Sequence, residues 1–316
     1  MEIREFAELS PRQRQWAATL EVSDGGPPST AERLARARFL RYTSLYAVVD
    51  GVPLARVGSS RVPFRTKEGD QTVLGVADVV TRPDALRRGY ASRLLRATHR
   101  RARAEGLRWA VLWTRRSWVA HGAYERLGYR DVYGPPIAAH RSRAGPHRPA
   151  GLLRARPARR GDGALLERLL AEASRDRIGF VPRPAGWFDA ALALGWRSVD
   201  QYRILYQGRR PVGYVVVHVD RFDLTSREIV VTDPALHHPL LNWLEALAGG
   251  RWIGLNASTF LRDAADELRA HGYLTIPFGH GVMMARPLGR ASDRDGSVFR
   301  AAVDDPRFWL QGSDMV

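Results

Sequence analysis

Arg87, Arg88 and Gly89, followed at once by Tyr90, Ala91 and Ser92, form a combination suited to an anion. Guanidinium groups make forked, charge-assisted hydrogen bonds to phosphate oxygens, and glycine lets the main chain approach a ligand closely. Ala91, Leu94, Leu95, Thr98 and Ala102 recur at helical spacing, so an amphipathic helix begins at this point. The exposed amides of its first turn and the positive end of its dipole then converge on the place the arginines reach. Upstream, Val76-Ala-Asp-Val-Val-Thr81 is a β-branched run stopped by Pro83, a strand that feeds the turn. His121 is a candidate base, imidazole being the side chain suited to proton transfer at physiological pH; its other reading is a histidine on a helix surface. The adjacent His237 and His238 point apart on any regular element and have no cysteine or carboxylate cluster at ligand spacing, so no metal site is expected.

The elements that position these residues read as a mixed α/β sheet. Ser44–Val49 and Val52–Val57 flank Asp50-Gly51 as a hairpin. Leu74–Thr81 is the next strand. The helix after the loop ends near Gly106, Trp109–Thr114 is a buried strand, and Ser117–Leu127 is a second helix, stopped by Gly128. Tyr129–Tyr133 closes the set. From about Gly134 to Gly163 the chain turns rich in Pro, Gly and Arg, which marks a boundary between two units, with Leu152–Arg156 as an edge strand.

The 316 residues are enough for two ordinary domains. There is no cysteine, which removes disulfides, thiolate nucleophiles and Cys-ligated zinc. No apolar run approaches the roughly 18 residues of a membrane span, and Met1-Glu-Ile-Arg-Glu-Phe is charged throughout, so a cytoplasmic enzyme is expected. The net charge is +16, with Lys67 the only lysine; 27 basic and 14 acidic side chains lie within residues 1–150, against 22 and 19 beyond. That field suits a phosphorylated ligand, nucleic acid or an acidic acceptor, or reflects arginine-rich surface composition alone.

The strand–Pro–x–x–x–Arg–Arg–Gly–Tyr–Ala–helix segment, joined to Ala120-His-Gly-Ala-Tyr124-Glu-Arg-Leu-Gly128-Tyr129, resembles the GNAT superfamily of acyl-coenzyme A N-acyltransferases over residues 44–133. Leu86 departs from that pattern, which has Arg or Gln there and so one more pyrophosphate contact. The resemblance implies acyl-coenzyme A as co-substrate, held by Arg87, Arg88, Gly89, Tyr90, Ala91 and Ser92. It assigns the main chain of Val79, Val80 and Thr81 to the pantetheine arm and the thioester carbonyl, which requires the strand to splay from its neighbour. It makes Tyr124 the acid that reprotonates the departing thiolate. Asp78 lies where relatives often hold an acidic residue; it reads as a base, an arginine partner or a solvated edge carboxylate. In tandem relatives of the enhanced-intracellular-survival type the terminal carboxylate reaches the site, which makes the tail Phe308–Val316 a third source of base. Trp113 and Trp118 flank the expected site.

The second half repeats the plan. Tyr202–Tyr206 and Pro211–Val217 recapitulate the hairpin, Glu228–Pro234 the strand–Pro entry, Trp252–Asn256 the buried strand, and Leu268–Tyr273 the segment Tyr124–Tyr129. The Arg-Arg-Gly turn is replaced by Ala-Leu-His-His-Pro239, and Tyr124 by Leu268. The resulting expectation is two tandem, mixed-sheet GNAT-like domains, 1–150 with the acyl-coenzyme A site and 151–316 degenerate. The expected activity is transfer of an acyl group, acetyl by default, to a primary amine of a small molecule such as an antibiotic or amino sugar. The alternatives are a long-chain acyltransferase of glycopeptide-type biosynthesis, and a nucleic-acid-binding protein or silent coenzyme A sensor on the same fold. Expected partners are a small amine, with nucleic acid and membrane disfavoured and self-association left open.

Overall fold

The structure, a computed structural model, describes residues 1–22, 39, 41–143, 153–180, 182–193, 201–256, 265–276, 281–289 and 293–309. The chain opens with β1 (Glu2–Glu5) and α1 (Pro11–Val22), the latter begun by Pro11 and a reciprocal bond pair between Ser10 and Gln13. There follow β2 (Thr43–Val49), β3 (Val52–Thr66), β4 (Gly69–Thr81), α2 (Tyr90–Ala104), β5 (Trp109–Thr114), α3 (Val119–Arg126), β6 (Arg130–Tyr133) and β7 (Ile137–Arg141). Next come β8 (Leu153–Pro157), α4 (Gly163–Ala173), β9 (Ile178–Gly179), α5 (Trp187–Ala193), β10 (Tyr202–Gln207), β11 (Arg210–Val219), β12 (Asp223–Val231), α6 (His237–Ala248) and β13 (Trp252–Asn256). The described chain finishes with α7 (Ala265–Ala270), β14 (Leu274–Ile276), β15 (Val282–Pro287), α8 (Asp293–Asp304) and β16 (Phe308–Trp309).

Two mixed sheets result: the first takes β15 and, beside β3, the short strands β9 and β16 from the second half of the chain, and the second takes β7 from the first half. The first runs β1-β2-β3-β4-β5-β15-β6, the second β14-β7-β13-β12-β11-β10-β8. The short β9–β16 pair beside β3 is parallel, and along each of these paths one parallel pair (β4 with β5, β12 with β13) sits among antiparallel ones. The strand beyond that pair is the exchanged one: β15 lies antiparallel between β5 and β6, and β7 between β13 and β14. β7 arises inside the Pro/Gly/Arg-rich stretch, where composition gave no sign of a strand, and β6 closes its sheet through β15 rather than against β5.

Strand alternation explains the layers. Leu74, Val76, Ala110, Leu112, Val282 and Met284 face one side, where Leu94, Leu95 and Ala102 of α2 and Tyr124 and Leu127 cover them. Val73, Trp109, Val111, Met283 and Ala285 face the other, against Phe299, Ala302 and Val303 of α8. The polar face of α2 is as the spacing predicts: Arg93, Arg96, Arg100 and Arg103 are exposed. Each buried leucine of α2 contributes roughly 2 kcal/mol. In the second sheet α6 covers one face with Leu240, Leu241 and Leu244, while α4, α5 and Trp309 cover the other.

Candidate active site

A β-bulge begins the site. The β3–β4 ladder shifts register between Arg56, which faces Val80, and Gly58, which faces Ala77, so Asp78 and Val79 together oppose Val57. Asp78 has φ +50°, and the bend turns the end of β4 away from β5. The parallel β4–β5 ladder stops at Val76–Leu112. Beyond that pair Val80 and Thr81 remain paired with β3 on one edge while Val79 sits in the bulge; all three are only half-buried, and no strand among the described residues pairs with their other edge. This is the splay that the family resemblance requires.

The open edge leads directly into the basic turn. After a 3₁₀ turn over Pro83–Ala85, Arg87 (φ +62°) and Gly89 (φ +78°) take left-handed conformations, and α2 starts at Tyr90. Alternating handedness of this kind gathers successive amides into a concave anion nest. No side chain caps the helix, and the first amide here with a main-chain acceptor is that of Arg93, on Gly89 O at 3.1 Å. Arg87 and Arg88 are exposed and have no ion pair among the described residues. Tyr90, Ala91 and Ser92 form the half-buried first turn of α2, and Leu86 projects outward. The donor set fits a pyrophosphate: amides and permanent cations, with the carboxylate of the preceding 3₁₀ turn, Asp84, engaged by Arg82.

Asp78 is an arginine partner. Its Oδ2 accepts from Arg56 Nη2 at 2.8 Å and from the Tyr42 hydroxyl, and Arg56 Nη2 also donates to the Tyr42 oxygen at 2.6 Å. Burial, reinforced by the Asp78 charge, pushes the Tyr42 phenol up to about 12. On α3, His121 Nε2 lies 2.8 Å from Asp131 Oδ1 of β6, and its Nδ1 lies 3.7 Å from Glu125. Arg116 Nε donates to the other oxygen of Asp131 at 2.6 Å. Burial would raise the Asp131 carboxyl, but the bonds from Arg116 and His121 outweigh it and hold it below its ordinary range. Each candidate base therefore already has partners, and Asp78 and His121 belong to separate clusters.

Tyr124 is 8% exposed, packed edge-on against Tyr129 with ring centroids 5.9 Å apart. The Tyr129 hydroxyl lies 2.8 Å from His99 Nε2. Trp113 is half-buried against Gly281, where any Cβ would collide with its indole at 2.3 Å. Trp118 stands 54% exposed at the start of α3 with Arg115 over its ring. The tail docks at Phe308–Trp309, parallel to β9, and residues 310–316 lie outside the described residues.

The second half has the same opening with different contents. The β12–β13 ladder stops at Ser226–Leu255. Asp233 Oδ1 accepts from Ala235 N at 2.9 Å and so places a carboxylate at the turn, and Pro239 sits in the first turn of α6. Ile229, Val231, Pro234 and His237 close down with Arg177 and Trp309 on a cavity of about 20 Å³, room for about one water. His238 packs edge-on against His271 with ring centroids 4.5 Å apart.

Sequence reasoning missed Tyr42, Arg56, His99, Asp131 and Arg286, because each acquires its partners only when separate elements pack together.

Residues 15–132 match the sequence profile of the acetyltransferase (GNAT) domain. Solved structures extend the likeness over both halves. A probable N-acyltransferase from Enterococcus faecalis shares 14% identity at TM-score 0.69, over 91% of this chain and 72% of that one. Eis1 from Mycobacterium abscessus shares 18% at TM-score 0.61, over 91% and 74%. A tandem GNAT protein of the clavulanic acid biosynthesis pathway shares 13% at TM-score 0.55, over 92% and 99%. The chain therefore has the tandem GNAT fold, and GNAT domains use acyl-coenzyme A as co-substrate. Sequence comparison with curated proteins finds no match.

Proposed function

We propose that the first half transfers an acyl group, by default acetyl, from acyl-coenzyme A to the primary amine of a small molecule, and that the second half serves as scaffold. One observation carries this reading. The splayed end of β4 runs directly into an uncapped helix N-terminus flanked by two exposed arginines, and in the second half Pro239 sits in the first helical turn while Trp309 closes on Pro234 and His237.

Bound acyl-coenzyme A supplies an activated thioester. Arg87, Arg88 and the amides from Gly89 to Ser92 hold its pyrophosphate. The main chain of Val79, Val80 and Thr81 lies along the pantetheine arm, and a free amide there polarises the acyl carbonyl. Tyr124 holds the proton that the leaving thiolate takes. Asp78 is bound by Arg56 and Tyr42, and His121 stands between two carboxylates. This arrangement favours an amine that arrives neutral or loses its proton to water.

A thermal-shift panel of acetyl-, medium-chain and long-chain acyl-coenzyme A tests the reading. Acetyl-coenzyme A is expected to raise the melting temperature of the parent and of His238→Ala but not of Arg88→Glu. Tyr124→Phe should keep the shift and lose about a hundredfold in turnover with an amine acceptor, within the usual range for one acid–base group. Absence of a shift with every donor would sink the proposal, and a shift with long chains alone would replace acetyl as the donor.

A further inference from the structure

The helix that bears Tyr124 has only eight residues, too few to hold together without tertiary support. Its carbonyl end is held by a residue 159 positions away in the chain. Arg286, on exchanged strand β15, donates from Nη1 to Leu127 O, just beyond the end of α3. The same Nη1 lies 3.3 Å from His99 Nδ1, and the guanidinium stands over the Tyr129 ring, 6.0 Å from its centroid. A guanidinium only donates, so His99 Nδ1 accepts and the ring proton sits on Nε2, which donates to the Tyr129 oxygen. Tyr129 in turn packs edge-on against Tyr124. A single side chain from the second half thus fixes the end of α3, the tautomer of His99 and, through Tyr129, the wall against which Tyr124 rests.

The second sheet contains a counterpart. His140, on exchanged strand β7, donates from Nδ1 to Gly272 O at 3.1 Å, lies tilted against the Tyr273 ring with centroids 4.9 Å apart, and pairs through Nε2 with Glu245 at 2.6 Å. Strands β15 and β7 therefore each carry one basic side chain that bonds a carbonyl at the Gly-Tyr corner ending the short helix. In the second half that helix carries Leu268 where the first carries Tyr124.

We infer that Arg286 is a positioning residue of the acyl-transfer site, contributed by the second half to hold α3 and Tyr124 in register. The inference rests on the acyltransferase reading above. Arg286 touches neither the anion turn nor the splayed end of β4 in any contact described, so its loss should separate turnover from donor binding.

The test uses the full chain with Arg286→Met, Arg286→Lys and, as control, His140→Ala. In Arg286→Met, amides of 119–129 are expected to exchange about ten- to a hundredfold faster, the range for one charge-assisted hydrogen bond, while those of 90–104 stay as in the parent. The acetyl-coenzyme A dissociation constant should remain within about twofold and kcat should fall about tenfold or more. Arg286→Lys, which keeps the charge but not the fork, should fall between, and it serves alone if the methionine variant fails to fold. His140→Ala should lower the melting temperature and leave kcat unchanged. Parent-like exchange and kcat in the arginine variants would overturn the inference, as would donor affinity falling in step with kcat. Exchange is read without substrate, so a parent that binds no acyl-coenzyme A sinks the acyltransferase reading and not the anchoring of α3.

Discussion

His99 and His237 are neutral in the fold for the same physical reason. Burial, helped by Arg286 beside His99, pushes His99 down to about 3, and burial with Arg177 nearby pushes His237 down to about 4. Both lie far below the ordinary 6.5, so below about pH 6.5 the unfolded chain binds protons that the folded chain refuses. Stability is therefore full above that pH and falls on acidification until the two side chains titrate within the fold. Each contributes a loss of about 1.4 kcal/mol per pH unit, or about 2 kcal/mol by pH 5. The unfolding free energy measured by denaturant titration should fall steadily from pH 7 to 5. His99→Gln, whose amide can still accept from Arg286 and donate to Tyr129, should remove about half of the slope. A flat profile in the parent would refute the buried-neutral assignment. Nothing in the sequence marks either of these two, among nine histidines, as buried and neutral.

The junction of β4 and α2 was readable before folding, because its properties are local. Left-handed backbone at Gly89, apolar spacing along α2 and the stop at Pro83 all depend on near neighbours in the chain. The same locality allows a clean test. Gly89 and Gly106 both have positive φ, +78° and +83°, and a Cβ at either meets nothing within 4 Å. Alanine at each costs about 1–2 kcal/mol in backbone strain. Gly89→Ala and Gly106→Ala should therefore lower the melting temperature alike. Only Gly89→Ala should weaken acetyl-coenzyme A binding, by about tenfold, since it alone displaces the amide nest; equal affinities in calorimetric titration would remove the loop from the binding site. The splay of β4 from β5 has a different origin. It depends on the bulge at Asp78, and that bulge is held by Arg56 and Tyr42, whose approach to Asp78 no local pattern announces.

Across the whole molecule the exchanged strands tie the two sheets together. Without β15, β5 and β6 have no common neighbour, and without α8 the face bearing Phe64, Trp109 and Val111 loses its cover. A chain ending at residue 150 should thus give no cooperative thermal transition, and co-expression with 151–316 should restore one; a sharp transition in the fragment alone would show that β15 is dispensable. The sequence also showed the internal duplication, since hairpin, strand–Pro entry, buried strand and Gly-Tyr corner recur in order.

What the sequence determined by itself is whatever repeats along the chain or acts between near neighbours: the mixed α/β elements, the anion turn, its absence from the second half, and the Tyr124–Tyr129 segment. Tertiary structure alone decided which strand neighbours which, and with it the exchange of β7 and β15, the Asp78–Arg56–Tyr42 cluster, the Asp131 partner of His121 and the hold of Arg286 on α3. Hydrophobic periodicity states which face of a strand is buried but not which edge it joins. A strand from either half satisfies the same alternation, and the choice is made only when both sheets pack.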